Sequence, residues 1–552
     1  MTDPLPTPSD PTPDVDAIVV GAGLGGLCAI HQLRSRGLSV RAFEVGGNVG
    51  GTWFWNCYPG ARCDVESIDY SFGFDEQLQQ EWTWTERYAA QPEILRYVEH
   101  VADRLALREA ITFDTRVVSA VFDEASLTWL VTTDGGEAVR ARICVMATGN
   151  LSTTNVPDYP GIDGFAGELI HPGRWPRDRE VDWHGKRVGV LGTGSTGIQL
   201  VTALAADVER LVVFQRTANY SMPAHNHPLD APTMDAIKAT YPERRAEARR
   251  TRRGFPLPAT VTTESIFAFE PAEQQERLER GWDNGGAIFT ATFGDLATDA
   301  EANAIASEFV RDKIRAIVDD PAVAERLAPH DHPLGGKRPC VDSGYFETFN
   351  RDNVELVDLK ETPIVEFLPH GVRTTAGEHD LDLVIVATGY DAITGTLNAI
   401  DVRGRDGATL KDHWADGATA YLGLCCAGFP NLFVLTGPGS PSILCNVAVS
   451  IEQHVELMLA VLDEALRRAP LAVEVDAAAE ERWAEHVTTI AAGTLVGQSR
   501  SWYSGSNIPG KPSRFVPYAA GMVEFEAECA EILGRDFEGF RFAADVAATV
   551  ET

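Results

Sequence analysis

Asp16-Ala17-Ile18-Val19-Val20-Gly21-Ala22-Gly23-Leu24-Gly25-Gly26 is a short apolar run that ends in a GxGxxG turn. Arg187-Val188-Gly189-Val190-Leu191-Gly192-Thr193-Gly194-Ser195-Thr196-Gly197 repeats the plan 171 residues later. In each, a buried strand feeds a glycine turn and then helix-compatible residues, so small side chains let the backbone approach a pyrophosphate at a helix N-terminus. One such turn is weak evidence. Two, each in register with its own strand, point to a chain that binds two dinucleotides.

The residues after the second strand of each unit separate the two nucleotides. A strand over Leu38–Phe43 delivers Glu44, 23 residues after Gly21, where a carboxylate accepts hydrogen bonds from ribose hydroxyls. The second unit has Leu211-Val212-Val213-Phe214 followed by Gln215-Arg216-Thr217, with no acid at that position. Arg216 and the Thr217 hydroxyl suit a 2′-phosphate instead, which predicts NADPH.

At 552 residues, with 44 % hydrophobic and 23 % charged residues, the chain is long enough for two or three globular domains. A formal net charge of −33 weighs against nucleic acid or an anionic membrane as partner. No apolar run reaches membrane-spanning length, so no integral membrane association is expected. Nine scattered cysteines without a signal peptide predict reduced thiols and a cytoplasmic location. No metal site and no obligatory protein partner are read from the chain.

The predicted fold class is α/β, with two Rossmann-like dinucleotide-binding domains and a helical insertion. Residues 1–14, with five prolines, read as a flexible tail. The first domain is assigned residues 15–150 and 386–552, and the second 151–224 and 336–385. Helical periodicity over Pro271–Glu279 and Ala300–Ile317 makes 225–335 the insertion. Two apolar strands ending in Ala-Thr-Gly, at 147–149 and 387–389, mark the crossings between domains. Asn353–Phe367 reads as strand-rich, and Ser450–Leu466 as a helix.

Six further segments carry a family resemblance. Gly50-Gly51-Thr52-Trp53-Phe54-Trp55-Asn56-Cys57-Tyr58-Pro59-Gly60-Ala61-Arg62-Cys63-Asp64 and Phe165-Ala166-Gly167-Glu168-Leu169-Ile170-His171-Pro172-Gly173-Arg174-Trp175-Pro176 closely resemble motifs of type I Baeyer–Villiger monooxygenases. Gly336-Lys337-Arg338-Pro339, Gly437–Ser442, Ser501-Trp502-Tyr503 and Gly510-Lys511-Pro512 extend the resemblance over nearly the whole chain. The Ala61-Arg62-Cys63-Asp64 version is most similar to the phenylacetone and steroid monooxygenase subgroup.

The resemblance implies tightly bound FAD, NADPH as reductant, O2 as co-substrate and a small-molecule ketone. It implies a C4a-peroxyflavin that inserts one oxygen atom beside the carbonyl, giving an ester or lactone. Arg338 matches the arginine that stabilises the anion beside the flavin, and Asp64 the carboxylate that orients it. The FAD-side set is Gly21, Gly23, Gly26, Glu44, Trp53 and Asp64. The NADPH-side set is Gly192, Gly194, Gly197, Arg216, Thr217, Lys337 and the loop residue Trp502. Phe165, Gly167, His171 and Trp175 fall in a segment tied to interdomain movement, and Ser442, Ile443 and Leu444 border the substrate pocket. Cys57 departs from the subgroup, which has arginine there; Cys445 and Ser506 are smaller departures.

Other chemistries stay open. The same oxygenating flavin serves N- or S-oxygenation. Cys57 and Cys63 invite a disulfide reductase, although five residues separate them where four are usual. A nonenzymatic redox sensor is the remaining reading.

Overall fold

The computed structural model describes residues 12–468 and 472–542. The tail expected over residues 1–14 lies, up to residue 11, outside the described residues. Strand β1 (Val15–Val20) runs into the helix Leu24–Ser35, whose Leu27, Ile30 and Leu33 are fully buried. This helix ends in a Schellman arrangement: Gly37 takes φ +77°, and the Leu38 N–H reaches the Leu33 carbonyl at 3.3 Å. Leu38 and Ser39 are thereby used in the turn. Strand β2 spans Val40–Phe43, two residues shorter than the hydrophobic run predicts.

Strands β3 (Ile111–Thr112), β4 (Val117–Asp123), β5 (Thr128–Thr133) and β6 (Ala138–Met146) follow. The second nucleotide unit contains β7 (Glu168–Ile170), β8 (Arg187–Leu191) and β9 (Arg210–Gln215), with the helix Ser195–Leu204 between β8 and β9. Strand β10 (Ser221–Pro223) pairs in parallel with β11 (Cys340–Asp342) and so closes the entrance and exit of the intervening segment. That segment holds helices at Ala231–Ala239, Tyr241–Arg249, Pro271–Asn284, Ala300–Ile317 and Pro321–Leu327. The helix at Pro271 continues past Glu279 to Asn284, where Gly285 at φ +71° stops it. The helix at Ala300 starts where the Asp299 side chain accepts the N–H groups of Glu301 and Ala302.

The stretch Asn353–Phe367 becomes two strands, β12 (Val354–Asp358) and β13 (Ile364–Leu368). They are divided by a turn in which the Thr362 N–H meets the Asp358 carbonyl at 2.8 Å. Strands β14 (Gly371–Thr374) and β15 (Gly377–Asp380) extend β13 into an antiparallel three-stranded sheet. Strands β16 (Leu383–Val386), β17 (Asp401–Arg403) and β18 (Leu432–Val434) then rejoin the larger sheets.

The first sheet has the order β17-β4-β5-β6-β1-β2-β3, with β18 also paired to β6. Its β1, β2, β6 core is parallel: Ile18 sits opposite Arg41 on one side and Cys144 on the other. The second sheet, β12-β9-β8-β16-β7, is parallel throughout. These are two Rossmann-like sheets with helical insertions. The helix Val447–Arg467 packs on the first helix and starts earlier than its apolar period suggests, because Asn446 caps it by accepting the Ala448 N–H. Among the described residues, no helix is long and apolar enough to cross a membrane.

Candidate active site between the two sheets

Both glycine turns sit at the C-terminal ends of their central strands, where open α/β sheets bind ligands. Gly21 takes φ +105° and Gly192 φ +111°, a region that side chains disfavour. A Cβ on Gly21 would lie 2.5 Å from the Ala147 carbonyl, and one on Gly192 2.5 Å from that of Ala387. The two Ala-Thr-Gly segments therefore serve equivalent close approaches. Gly26 and Gly197 play a second shared part: a Cβ there would fall 1.9 and 2.0 Å from the carbonyls of Gly21 and Gly192. The helices that follow begin at Gly23 and Gly194 with no side-chain cap, leaving backbone N–H groups for a ligand.

One continuous cavity of about 1340 Å³ joins the two turns. Gly21, Gly23, Glu44, Trp53 and Asp64 line it from the first sheet's side. Gly192, Gly194, Arg216, Thr217 and Lys337 line it from the second, and Arg338, Ser442, Ile443 and Trp502 lie between. Gly26 and Gly197 stand behind the turns rather than in the wall. Leu444 is not in the wall either; it packs against the cluster of Ala491, Tyr503, Phe515 and Ala519.

Asp64 and Arg338 form a two-point ion pair across 274 residues of sequence. Arg338 Nε donates to Asp64 Oδ2 at 2.7 Å and a terminal nitrogen to Oδ1 at 2.9 Å. Its other terminal nitrogen donates to the Ile443 carbonyl at 2.8 Å, which ties the pair to the 441–445 turn. The Asp64 carboxylate raises the Arg338 pKa well above its ordinary value. Burial alone would raise the pKa of Asp64, but the adjacent guanidinium outweighs it and holds the carboxyl below the usual range. The site thus contains a permanent cation of fixed orientation.

Glu44 is 5 % exposed. Its two oxygens accept the N–H groups of Ala22 at 2.7 Å and Gly46 at 2.8 Å, so it braces the first glycine turn as well as lining the cavity. Burial raises its pKa against those backbone bonds. Trp53 donates its indole N–H to the Tyr70 hydroxyl at 3.0 Å and meets that ring edge-on. On the other side, burial lowers the pKa of Lys337, and the neighbouring Arg216 adds to the effect. The nearby Asp331 carboxylate opposes that lowering, and Arg216 and Lys337 both present cationic donors to the cavity.

Of the linker, Arg174 lines the cavity, whereas Phe165, Gly167, His171 and Trp175 do not. His171 Nδ1 accepts the Gly173 N–H at 3.1 Å, which leaves Nε2 to donate to the Gly389 carbonyl at 3.0 Å. It therefore joins the linker to the second Ala-Thr-Gly turn. Trp175 is buried in the second sheet's core, edge-on to Trp183. Phe165 packs on Phe367, and Gly167 approaches the Asp382 carbonyl so closely that a Cβ would lie 2.6 Å from it.

Several contacts at the site have no sequence signal. The Tyr390 hydroxyl bonds Asn56, which lines the cavity. Asn507 donates to the Tyr390 carbonyl at 2.9 Å, and Lys511 pairs with Asp391 while reaching the Ala392 carbonyl at 3.1 Å. The segment carrying Trp502 is thereby fastened to the strand end after Gly389. Arg174 lies 4.7 Å over the Trp55 ring. Cys57 and Cys63 are both free thiols, and burial, reinforced by Asp64, pushes the Cys63 thiol far up. A thiol so hard to ionise is a poor disulfide-exchange nucleophile.

Residues 15–240 match the pyridine nucleotide-disulphide oxidoreductase family. The chain is 43 % identical over 513 residues to a Baeyer–Villiger monooxygenase of Pseudooceanicola batsensis, covering 92 % of this chain and 93 % of that one. It is 41 % identical over 539 residues to a phenazine N-monooxygenase of Lysobacter antibioticus, covering 97 % and 98 %. Among solved structures, an oxidized steroid monooxygenase bound to NADP superposes with a TM-score of 0.91 at 48 % identity, covering 96 % of this chain and 99 % of that one.

Proposed function

The chain belongs to the Baeyer–Villiger monooxygenase family, and from that premise we propose that Arg338 is the residue that makes its cavity an oxygenation site. The enzyme depends on FAD and NADPH and inserts one oxygen atom of O2 beside a ketone carbonyl, giving an ester or lactone. The flavin, when bound, supplies the electron transfer between NADPH and oxygen. Everything else is the work of the protein's own side chains.

FAD fits the first turn: Gly21 and Gly23 line the space for pyrophosphate, Gly26 lets the helix close against the turn, and Glu44 has lone pairs left for ribose hydroxyls. NADPH fits the second: Gly192, Gly194 and Gly197 repeat the cradle, and Arg216, Thr217 and Lys337 offer donors to a 2′-phosphate. Trp53 and Trp502 supply aromatic surface to the shared space. Residues 15–150 with 386–552 then act as the FAD domain, and 151–224 with 336–385 as the NADPH domain. His171 is assigned to the movement between them, with Phe165, Gly167 and Trp175 as its packed support.

The single observation carrying the mechanism is the Arg338–Asp64–Ile443 constellation. Its guanidinium stays charged, is oriented by two carboxylate oxygens, and lines the cavity between both turns. A preoriented cation in a partly dry site stabilises developing negative charge without reorganising. Ser442 and Ile443 present the substrate wall, whereas Leu444 supports it from behind. Nine free cysteines, eight of them buried, support a cytoplasmic location.

The Lysobacter relative favours one second reading, oxygenation of a soft nitrogen by the same cavity. Replacing Arg338 by Ala tests the proposal. The variant is expected to retain FAD and to oxidise NADPH while ester formation collapses. Ester formation at the unaltered rate would reject the role given to this residue.

A further inference from the structure

Thr436 and Leu422 are buried and occupy the left-handed region, at φ +55° and +53°. Residues with side chains rarely hold that conformation, and a β-branched one least of all, unless surrounding contacts impose it. Thr436 is the second residue after β18 and lines the cavity beside Leu435; Leu422 belongs to a neighbouring turn outside the cavity wall. The two turns interlock, with the Val434 N–H on the Leu424 carbonyl at 2.7 Å and the Gly437 N–H on the Gly423 carbonyl at 3.1 Å.

One side chain engages both strained residues. His454, on the helix Val447–Arg467, is 1 % exposed. Its Nδ1 accepts the Thr436 N–H at 2.8 Å, and its Nε2 lies 3.1 Å from the Leu422 carbonyl. A backbone N–H only donates and a carbonyl only accepts, so these partners fix the tautomer with the proton on Nε2. Burial pulls the ring's pKa down to about 4, against the bond to Leu422, so Nδ1 stays bare to accept. Phe525 meets the ring edge-on. Beyond the clamp, the Thr436 hydroxyl accepts from Asn150 at 3.4 Å, next to the first Ala-Thr-Gly turn. Leu435 comes within 3.8 Å of where a Gly25 side chain would begin.

We propose that His454 is a positioning residue for the flavin, holding Leu435 and Thr436 in place as the cavity wall that faces the first glycine turn. The inference rests on the FAD reading of that turn. The two arms of the clamp are separable: an asparagine oxygen reaches about as far as Nδ1, and a glutamine end group about as far as Nε2. His454→Asn therefore keeps the Thr436 arm, and His454→Gln keeps the Leu422 arm.

The test compares both variants with the parent as full-length, FAD-loaded protein, reading visible flavin absorption, the FAD dissociation constant and Tm. His454→Asn is expected to keep the parent spectrum and bind FAD within about twofold of the parent. His454→Gln is expected to shift the spectrum and bind FAD about tenfold more weakly, the scale of one lost buried hydrogen bond. Both are expected to lose similar Tm. Equal FAD binding and unchanged spectra in the two, or weaker binding by the Asn variant, would overturn the proposal. If His454→Gln does not fold, Thr436→Gly is added to it, because glycine takes this φ without strain. Recovery of FAD-loaded protein supports the clamp, and failure to recover overturns it. None of these readouts involves oxygen or ketone, so they stand apart from any test of the oxygenation itself.

Discussion

Replacing Asp64 by Asn removes one charge and one acceptor from the Arg338 clamp while keeping its volume. Two charge-assisted hydrogen bonds of 2.7 and 2.9 Å are at stake. Fully desolvated, they would be worth about 1.5–3 kcal/mol each. The Arg338 side chain is 32 % exposed and that of Asp64 19 %, so solvent screens part of this, and the carboxamide oxygen retains one bond. A loss of about 2 kcal/mol in the fixed orientation of the guanidinium remains, which is about 30-fold in rate if that orientation is used in the transition state. The assay is product formation from a ketone at saturating NADPH, alongside the flavin spectrum. The expected outcome is a fall in kcat of about that size with FAD still bound. The same substitution has a pH signature. The pKa of Asp64 is lowered in the folded protein, so its stabilisation is fully present above the ordinary carboxylate value of about 3.9 and is lost as pH falls through the lower folded value. The Tm difference between parent and variant should therefore be full near neutrality and close only in acid. A variant with undiminished ester formation would refute the reasoning, as would a Tm gap that closes on going alkaline.

Further outcomes follow from the same geometry. Arg216→Ala is expected to raise the KM for NADPH by about tenfold or more, leaving NADH little affected, since only the former carries a 2′-phosphate for a charged hydrogen bond. Gly26→Ala puts a methyl 1.9 Å from the Gly21 carbonyl and should yield protein without flavin, measured by the flavin-to-protein absorbance ratio. Gly197→Ala makes the equivalent clash at 2.0 Å and should keep FAD while weakening NADPH binding. Lys511→Ala releases the Trp502 segment from Asp391 and should divert more NADPH to hydrogen peroxide, read as a lower ratio of product to NADPH consumed. Thiol titration before and after anaerobic reduction should give the same count; two new thiols would revive a Cys57–Cys63 disulfide.

What could be read from the sequence were features under hard local constraint. The glycine turns are legible because no other residue fits within 2–2.5 Å of a carbonyl, and that requirement repeats at Gly21 and Gly192. Helix limits were legible where a cap marks them, as Asp299 does. The shorter β2 was not, because its apolar residues look the same whether they extend the strand or complete the preceding turn. Asn353–Phe367 hid two strands of different sheets for a similar reason. At the site, spacing alone could not bring Asp64 to Arg338; family resemblance did. Tyr390 with Asn56, Lys511 with Asp391, and His454 with Thr436 are ordinary polar residues whose partnership exists only after folding. The position of Leu444 behind the wall is likewise a matter of which way a tight turn faces.

The most direct measurement is oxygen labelling of the complete reaction. FAD-loaded protein, NADPH and 18O2 are incubated with a panel of linear, cyclic, aryl and steroid-like ketones, and products are resolved by mass. The account predicts an ester or lactone carrying one labelled atom in the inserted bridging position. Ketones recovered unchanged across the panel, with all reducing equivalents ending in hydrogen peroxide, would contradict it.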